Sequence, residues 1–229
     1  MMEYTVPTKN AVKRDLNFYI LFWLFMIGNV LGFGIEGAWT MFKTGHWENH
    51  AATVWGPFCI IYGIGAVIVY VTSHFLKDKN ILIKFGAFLL SGSLVEYFGG
   101  LFQEICFGSR SWDYSSHTLN IGGKVSLKMA LIWGVFGLIF MYILYPFLKK
   151  VLSKCLSKPM KITACIVAVF MVINLFITSL AVLRWKARLD GINPGNTVDV
   201  MLDGTYNNEK MTELFVNMQF SNGGDNNRN

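Results

Sequence analysis

Residues Ile81 to Phe107, ILIKFGAFLLSGSLVEYFGGLFQEICF, decide how this chain folds. The apolar residues follow neither a period of two nor a single amphipathic stripe, and Lys84, Glu96 and Glu104 are the only charges in the stretch. About 20 such residues in helix span the ~30 Å hydrocarbon layer of a bilayer. Four more blocks have the same character: Leu16 to Ile35, Trp55 to Leu76, Ala130 to Leu148 and Ile162 to Leu183. Over all 229 residues, 53% are hydrophobic and 15% charged, against ~25% charged in ordinary soluble domains. In lipid each N–H and C=O must be satisfied within its own segment or in a closed barrel, and these blocks lack the alternation of barrel strands. The sequence therefore predicts an all-α polytopic membrane protein. About five transmembrane helices fill residues 16–189, between a short lead (1–15) and a polar tail (190–229). The first block is too long for a cleavable signal and no Ala-x-Ala-like site follows it, so it should remain as a span.

The net charge of +6 does not indicate nucleic acid, because the cations sit between the blocks and not on one folded face. They indicate orientation. Lys9, Lys13 and Arg14, then Lys77, Lys79 and Lys84, then Lys149, Lys150, Lys154, Lys158 and Lys161 fall on one side. Lys43, Arg110, Lys124, Lys128, Arg184, Lys186 and Arg188 fall on the other. The larger group places the amino terminus in the cytoplasm. The trio at 184–188 runs against the tail's outside placement. The tail, rich in Asn, Gly and Asp, has one semi-apolar run, Thr212 to Phe220, that reads as an interfacial helix, before a tip (221–229) expected to be disordered. Cys59, Cys106, Cys155 and Cys165 show no metal or redox spacing and read as small packing residues. No internal repeat of the kind that marks two-fold carrier halves is visible.

Charges at bilayer depth need a protein-facing or water-facing reason, since each costs at least ~2.5–3.5 kcal/mol on insertion scales. In the third block Gly92, Glu96, Gly99 and Gln103 fall within about 60° of one another at 100° per residue, with Gly100 on their flank and Glu104 one turn off the edge. In the first block Gly28, Asn29, Gly32 and Glu36 share a sector of roughly 100°. Small residues let a neighbouring backbone approach and hide a carboxylate from lipid, so the two faces are expected to meet. Glu36 and Glu104 then lie near the outer surface with Glu96 about 12 Å deeper, forming an acidic vestibule that opens outward. Such glutamates serve either as hydrogen-bonded glue between helices or as a path for a cation, proton or amine.

Around these blocks, Trp112, Asp113, Tyr114, Trp55 and Tyr62 belong at one interface, where aromatic rings favour the headgroup level. Pro57 suits a first helical turn and Asp113 can pair with Arg110. His46 and His50 lack the His-Glu-x-x-His order, and Gly122-Gly-Lys124 lacks the glycine spacing and following Ser or Thr of a phosphate loop. Neither a metal nor a cofactor is assigned.

Taken together, Glu36 after a Gly-rich span, the run Gly56-Pro-Phe-Cys-Ile-Ile-Tyr-Gly-Ile-Gly65, Glu96 through Glu104, Trp112-Asp-Tyr-Ser115, Asn120 and Trp133-Gly134 resemble the type IV ABC-transporter permeases of the CmpB kind, over about residues 20–140. Two departures stand out: Ile60 replaces a proline after the cysteine, and an Asn-Arg-Gly element reads His50-Ala-Ala. The resemblance implies a multi-pass protein of a bacterial plasma membrane with a transport role. Its partners would be the bilayer and a membrane subunit, a second copy or a separate ATPase. Candidate pathway residues are Glu36, Glu96, Glu104, Gln103, Asp113, Trp112, Tyr114, Asn29 and Tyr62, in a permease-like carrier of a small solute or ion. A non-catalytic scaffold or regulator is the second reading. An intramembrane enzyme acting on lipid or envelope precursors, with Glu104 and Asp113 as acid and base, is the third.

Overall fold

A computed structural model describes residues 16–220, so the lead, with Pro7 and its cations, and the tip 221–229 lie outside the described residues. Helices dominate: α1 (Phe18–Thr44), α2 (Ile60–Leu76), α3 (Ile81–Phe107), α4 (Leu127–Ile139), α5 (Tyr145–Leu152), α6 (Lys158–Leu189), α7 (Thr197–Thr205) and α8 (Asn208–Leu214). A π-helical turn (Phe140–Leu144) and a 3-10 turn (Ser153–Leu156) make α4 and α5 one continuous rod, Leu127–Leu156. That rod, α1, α3 and α6 are each long and apolar enough to cross a bilayer, and α2 is the shorter fifth member.

The faces of α3 show which medium surrounds it. Lys84, Phe88, Gly92, Glu96 and Gly100, one every four residues, are buried. Leu90, Leu94, Phe98 and Phe102 line an exposed flank. Small and ionisable residues inside, with large apolar ones outside, is the arrangement lipid demands.

The expected meeting of the first and third spans is replaced by an insertion: α2 packs between α1 and α3. Gly28 of α1 lies under Ala66 and the Tyr62 carbonyl, and Gly32 lies under the Tyr62 ring. A side chain at Gly28 would sit 2.9 Å from that carbonyl oxygen and 3.0 Å from Gly63 Cα, so the glycine sets the closeness of two backbones.

The second block was expected to be helical from Trp55, with Pro57 in the first turn. It begins at Ile60, and Pro57 stays outside. Gly56 takes φ +80°, and the residue before a proline is steered away from the helical region. At 17 residues the helix reaches only about 26 Å. The remaining depth is occupied by irregular chain, which a bilayer tolerates only where it is enclosed by protein. Asn174 in the middle of α6 donates through Nδ2 to the Trp55 carbonyl (2.7 Å) and accepts from the Trp55 amide (3.3 Å). Thr178 Oγ1 accepts from the Val54 amide (3.0 Å), and the Asn29 carbonyl accepts from the Cys59 amide (3.1 Å).

The π-helical turn has a local cause in Pro146, which cannot donate to the Tyr142 carbonyl and whose ring would crowd it. The ladder widens just before it, and the Tyr145 amide reaches back to Phe140. Ile20, Leu24, Val69, Tyr70, Phe88, Phe140 and Leu152 form the core at this end of the bundle.

A second core closes the other end. Leu202, Tyr206, Met211 and Phe215 of the tail pack on Ala181, Val182 and Trp185 of α6 and on Val54. Residues 197–220 are thus folded, which the polar composition did not suggest. Their asparagines initiate helices: Asn196 accepts from the Asp199 amide and Asn207 from the Lys210 amide, as N-cap residues do. The run from Thr212 to Phe220 is not one interfacial helix. α8 ends at Leu214, and strand β4 (Gln219–Phe220) pairs antiparallel with β1 (Ser109–Arg110). A hairpin of β2 (Asn120–Ile121) and β3 (Val125–Ser126) turns through the three residues Gly122, Gly123 and Lys124, with both glycines at positive φ, a conformation that glycine adopts without strain.

The tail also accounts for the basic trio at 184–188. Arg184 donates to both oxygens of Asp203 (2.8 and 2.7 Å), and Arg188 donates to Asp203 Oδ1 at 2.6 Å. These cations are held by a tail carboxylate, so they weigh little in a count of free positive charge.

Two tests follow from this architecture. Asn174→Leu should strand the Trp55 amide, leave its carbonyl with Thr53 Oγ1 alone, and destabilise the protein by about 1–3 kcal/mol, the cost of a buried group left unpaired; thermal unfolding in detergent measures it, and an unchanged midpoint would count against the loop's anchoring. The Arg184 and Arg188 hydrogen bonds hold the Asp203 carboxyl down at about 2, below the ordinary 3.8. A carboxyl lowered on folding stabilises at pH above its unfolded value and loses that contribution as pH falls through the folded one. Tail docking, followed by limited proteolysis between 190 and 220, should therefore hold from neutral pH to near 3.8 and loosen toward 2.

Candidate functional site

The irregular stretch 51–59, the loop 108–126 and the tail gather at one end of the bundle, linked by the β1–β4 pair and by His50. One ring nitrogen of His50 meets Thr40 Oγ1 on α1 (2.8 Å) and the other meets Asn217 (3.0 Å). Among the described residues no group of three or more His, Cys, Asp or Glu could hold a metal.

Below that end, the second helix carries a side chain to each neighbour. Tyr62 in the first turn of α2 donates its hydroxyl hydrogen bond to Glu36 Oε1 of α1. Tyr114 from the loop donates to Glu96 Oε1 of α3 at 3.5 Å. Tyr62, Tyr114 and Glu36 lie near enough that charge on one bears on the others. Burial pushes the Tyr114 phenol well above the usual tyrosine range, and the Glu96 and Glu36 carboxyls add to it. Each acid thus has a tyrosine hydroxyl as its partner, with α2 standing between the two helices that carry them.

Glu96 is 6% exposed, and its Oε2 has no hydrogen-bond partner. The Trp133 indole of α4 sits beside the carboxyl. It is wedged there by two glycines: a side chain at Gly92 would collide with its Cβ and ring, and one at Gly65 would sit 2.9 Å from its Cη2. Nearer the opposite end Phe88 lies against Gly137 and Phe85 against Gly134. This aromatic and glycine packing fills the seam between Glu96 and the buried Lys84, whose Nζ donates to the Tyr142 hydroxyl at 3.2 Å.

The remaining sequence candidates form an adjoining polar pocket. Glu104 pairs with Lys124 at 2.6 Å, and Arg110 with Asp113 at 2.5 Å. Gln103 donates to Ser111 Oγ at 2.8 Å, and Trp112 Nε1 donates to the Lys124 carbonyl at 2.9 Å. Ser115, through its hydroxyl and amide, and then Arg110 hold the Asp113 carboxyl below its ordinary range. These groups line a cavity of about 80 Å³. In place of an open acidic vestibule, this end thus carries carboxylates matched by cations. Asn29 stands apart from both groups, with Nδ2 donating to the Phe25 carbonyl (2.8 Å) and its side chain against Gly63.

Reasoning from sequence alone missed Trp133, Lys124, Asn174 and Thr178 as partners. Gly92 signalled the first, because a glycine on a polar face leaves room for a large ring from a neighbour. Nothing local announced Lys124, which reaches Glu104 only because the Gly122-Gly123 hairpin folds it back. Replacing Gly92 with Ala should displace the indole and destabilise the bundle by about 1–3 kcal/mol, the usual cost of overpacking. Thermal unfolding of the purified variant measures this, and an unshifted midpoint would show that the wedge is not tight.

Compared with known proteins, residues 23–179 match the model of the family described as "Putative ABC-transporter type IV". No curated protein and no solved structure matches the chain.

Proposed function

This chain belongs to the ABC-transporter type IV family as that description has it, and from that premise we propose that it is the membrane-embedded part of a permease that moves a small solute or ion along the seam of Glu36, Tyr62, Tyr114 and Glu96. The observation that carries the reading is Glu96, a carboxyl enclosed at bilayer depth with one oxygen left without a partner. Helix glue satisfies its own hydrogen bonds. An acid kept at a cost of at least ~2.5–3.5 kcal/mol and left half-satisfied is better explained by a group that comes and goes.

In this reading the amino terminus faces the cytoplasm of a bacterial plasma membrane. The pocket of Glu104, Lys124, Arg110 and Asp113 forms the outer mouth, with Trp112 and Gln103 in its wall. Trp133 and Phe88 close the seam on the inner side. Energy comes from a separate ATPase, and a membrane subunit or a second copy of the chain completes the pathway. The turn between α2 and α3 is too short to dock an ATPase, which leaves the surface of α5 and the 3-10 turn, with Lys149, Lys150 and Lys154, as the docking ground. The closed aromatic packing also favours a second reading, a scaffold that holds another protein's helices and transports nothing.

Purification in mild detergent, followed by reconstitution into vesicles, separates the two readings. Co-purification of an ATPase, and solute flux that falls roughly tenfold or more in Glu96→Gln, is the expected result. One stoichiometric membrane partner without any flux would establish the scaffold instead.

A further inference from the structure

Glu96 offers more than a general polar wall, because its surroundings restrict what it can bind. Two hollows among the described residues are the polar pocket beside Glu104 and a shallow apolar groove on α4 lined by Leu131, Val135 and Ile139. Glu96 lines neither of them. Around its carboxyl stand the Tyr114 hydroxyl on one side and the Trp133 indole on the other, with Gly92 and Gly100 a turn away on the same helix face. An amine or a hydrated metal ion needs a cavity and several oxygen ligands. A proton needs only a lone pair, and Oε2 has one that nothing occupies.

Access is also one-sided. Toward the inner end Trp133 lies against Gly65 and Gly92, and Phe88 against Gly137. Toward the outer end the contact is Tyr114, in a loop that begins beside the polar pocket, with the half-buried Glu36–Tyr62 pair behind it.

Resting on the transport reading above, we propose that Glu96 is a proton-binding site, reached from the outer end of the bundle through the Tyr114 hydroxyl. The step balances without any other reactant. Tyr114 passes its hydroxyl proton to a Glu96 carboxylate oxygen as it takes a replacement from water. Only O–H bonds break and form. Release runs the same chain in reverse. The charged and titratable groups facing this site are Tyr114 and Lys124 from the loop, Tyr62 from α2, Glu36 from α1 through the tyrosines, and Glu104 and Lys84 above and below on α3. The helix α4 contributes the indole of Trp133. A proton on Glu96 removes a charge that has no cation beside it, since Lys124 is engaged by Glu104.

Infrared difference spectra of the full chain in lipid, recorded while pH is stepped, test this directly. A protonated-carboxyl band should rise and fall with pH, be absent in Glu96→Gln, and change its midpoint in Tyr114→Phe. Glu96→Asp should retain a displaced band, which guards against a Gln variant that fails to fold. Identical carboxyl spectra in the wild-type protein and a folded Glu96→Gln variant would overturn the site. In vesicles with a trapped pH dye and an imposed potential, Glu96-dependent solute flux with no carboxyl titration would overturn the proton site while leaving the permease reading intact. A titrating Glu96 in vesicles that show no flux of any kind would keep the site and remove the permease reading.

Discussion

Hydrocarbon offers no hydrogen bonds, and this constraint orders the whole molecule. Polar groups at depth find their partners in other parts of the chain, with Glu96 Oε2 among the few left without one, and glycines make the approach possible. Gly28 and Gly32 admit Tyr62, Gly92 and Gly65 admit Trp133, and Gly137 admits Phe88. The same need explains why α2 can be short. Its missing turns are replaced by irregular backbone that Asn174, Thr178 and the Asn29 carbonyl satisfy, so a broken span costs the bundle no unpaired peptide groups at those positions.

The candidate site inherits its character from this packing. Glu36 and Glu96 lie on helices separated by α2, and only tyrosines from α2 and the 108–126 loop connect them. The acids are therefore held apart by neutral hydroxyls, with no cation placed to quench Glu96. A few residues away the opposite solution is used, where Glu104 and Asp113 are each matched by a basic side chain. One end of α3 thus carries two electrostatic regimes: a neutralised pocket at the surface and an uncompensated carboxyl below it.

The spans were legible because their signal is length and apolarity, which tertiary contacts do not alter; the block from Ile81 to Phe107 coincides with α3 residue for residue. The inward face of Glu96 was legible too, from Gly92 at one helical turn. Which helix would cover that face was not, because several apolar helices are equally good neighbours by composition; α2 came between the two faces expected to touch. The start of α2 was hidden since Trp55 to Cys59 is as apolar as a helix, and only the Gly56-Pro57 pair hinted at a break. In the tail, the polar composition gave no sign of folded helices, although asparagine is a common helix start, as at Asn196 and Asn207. The folded tail depends on apolar residues spaced four and five apart, Leu202, Tyr206, Met211 and Phe215, a pattern too sparse to register beside the spans.

The clasp that this tail makes has a bearing on biogenesis. Its residues leave the ribosome after all five apolar segments, yet they supply the partner for Arg184, a strand for β1 and a contact for His50. Until they arrive, the crossing helices can be in place while their ends on the tail's side remain untied. Insertion and closure are consequently separate events in the life of this chain, and the second waits on the last stretch to be made.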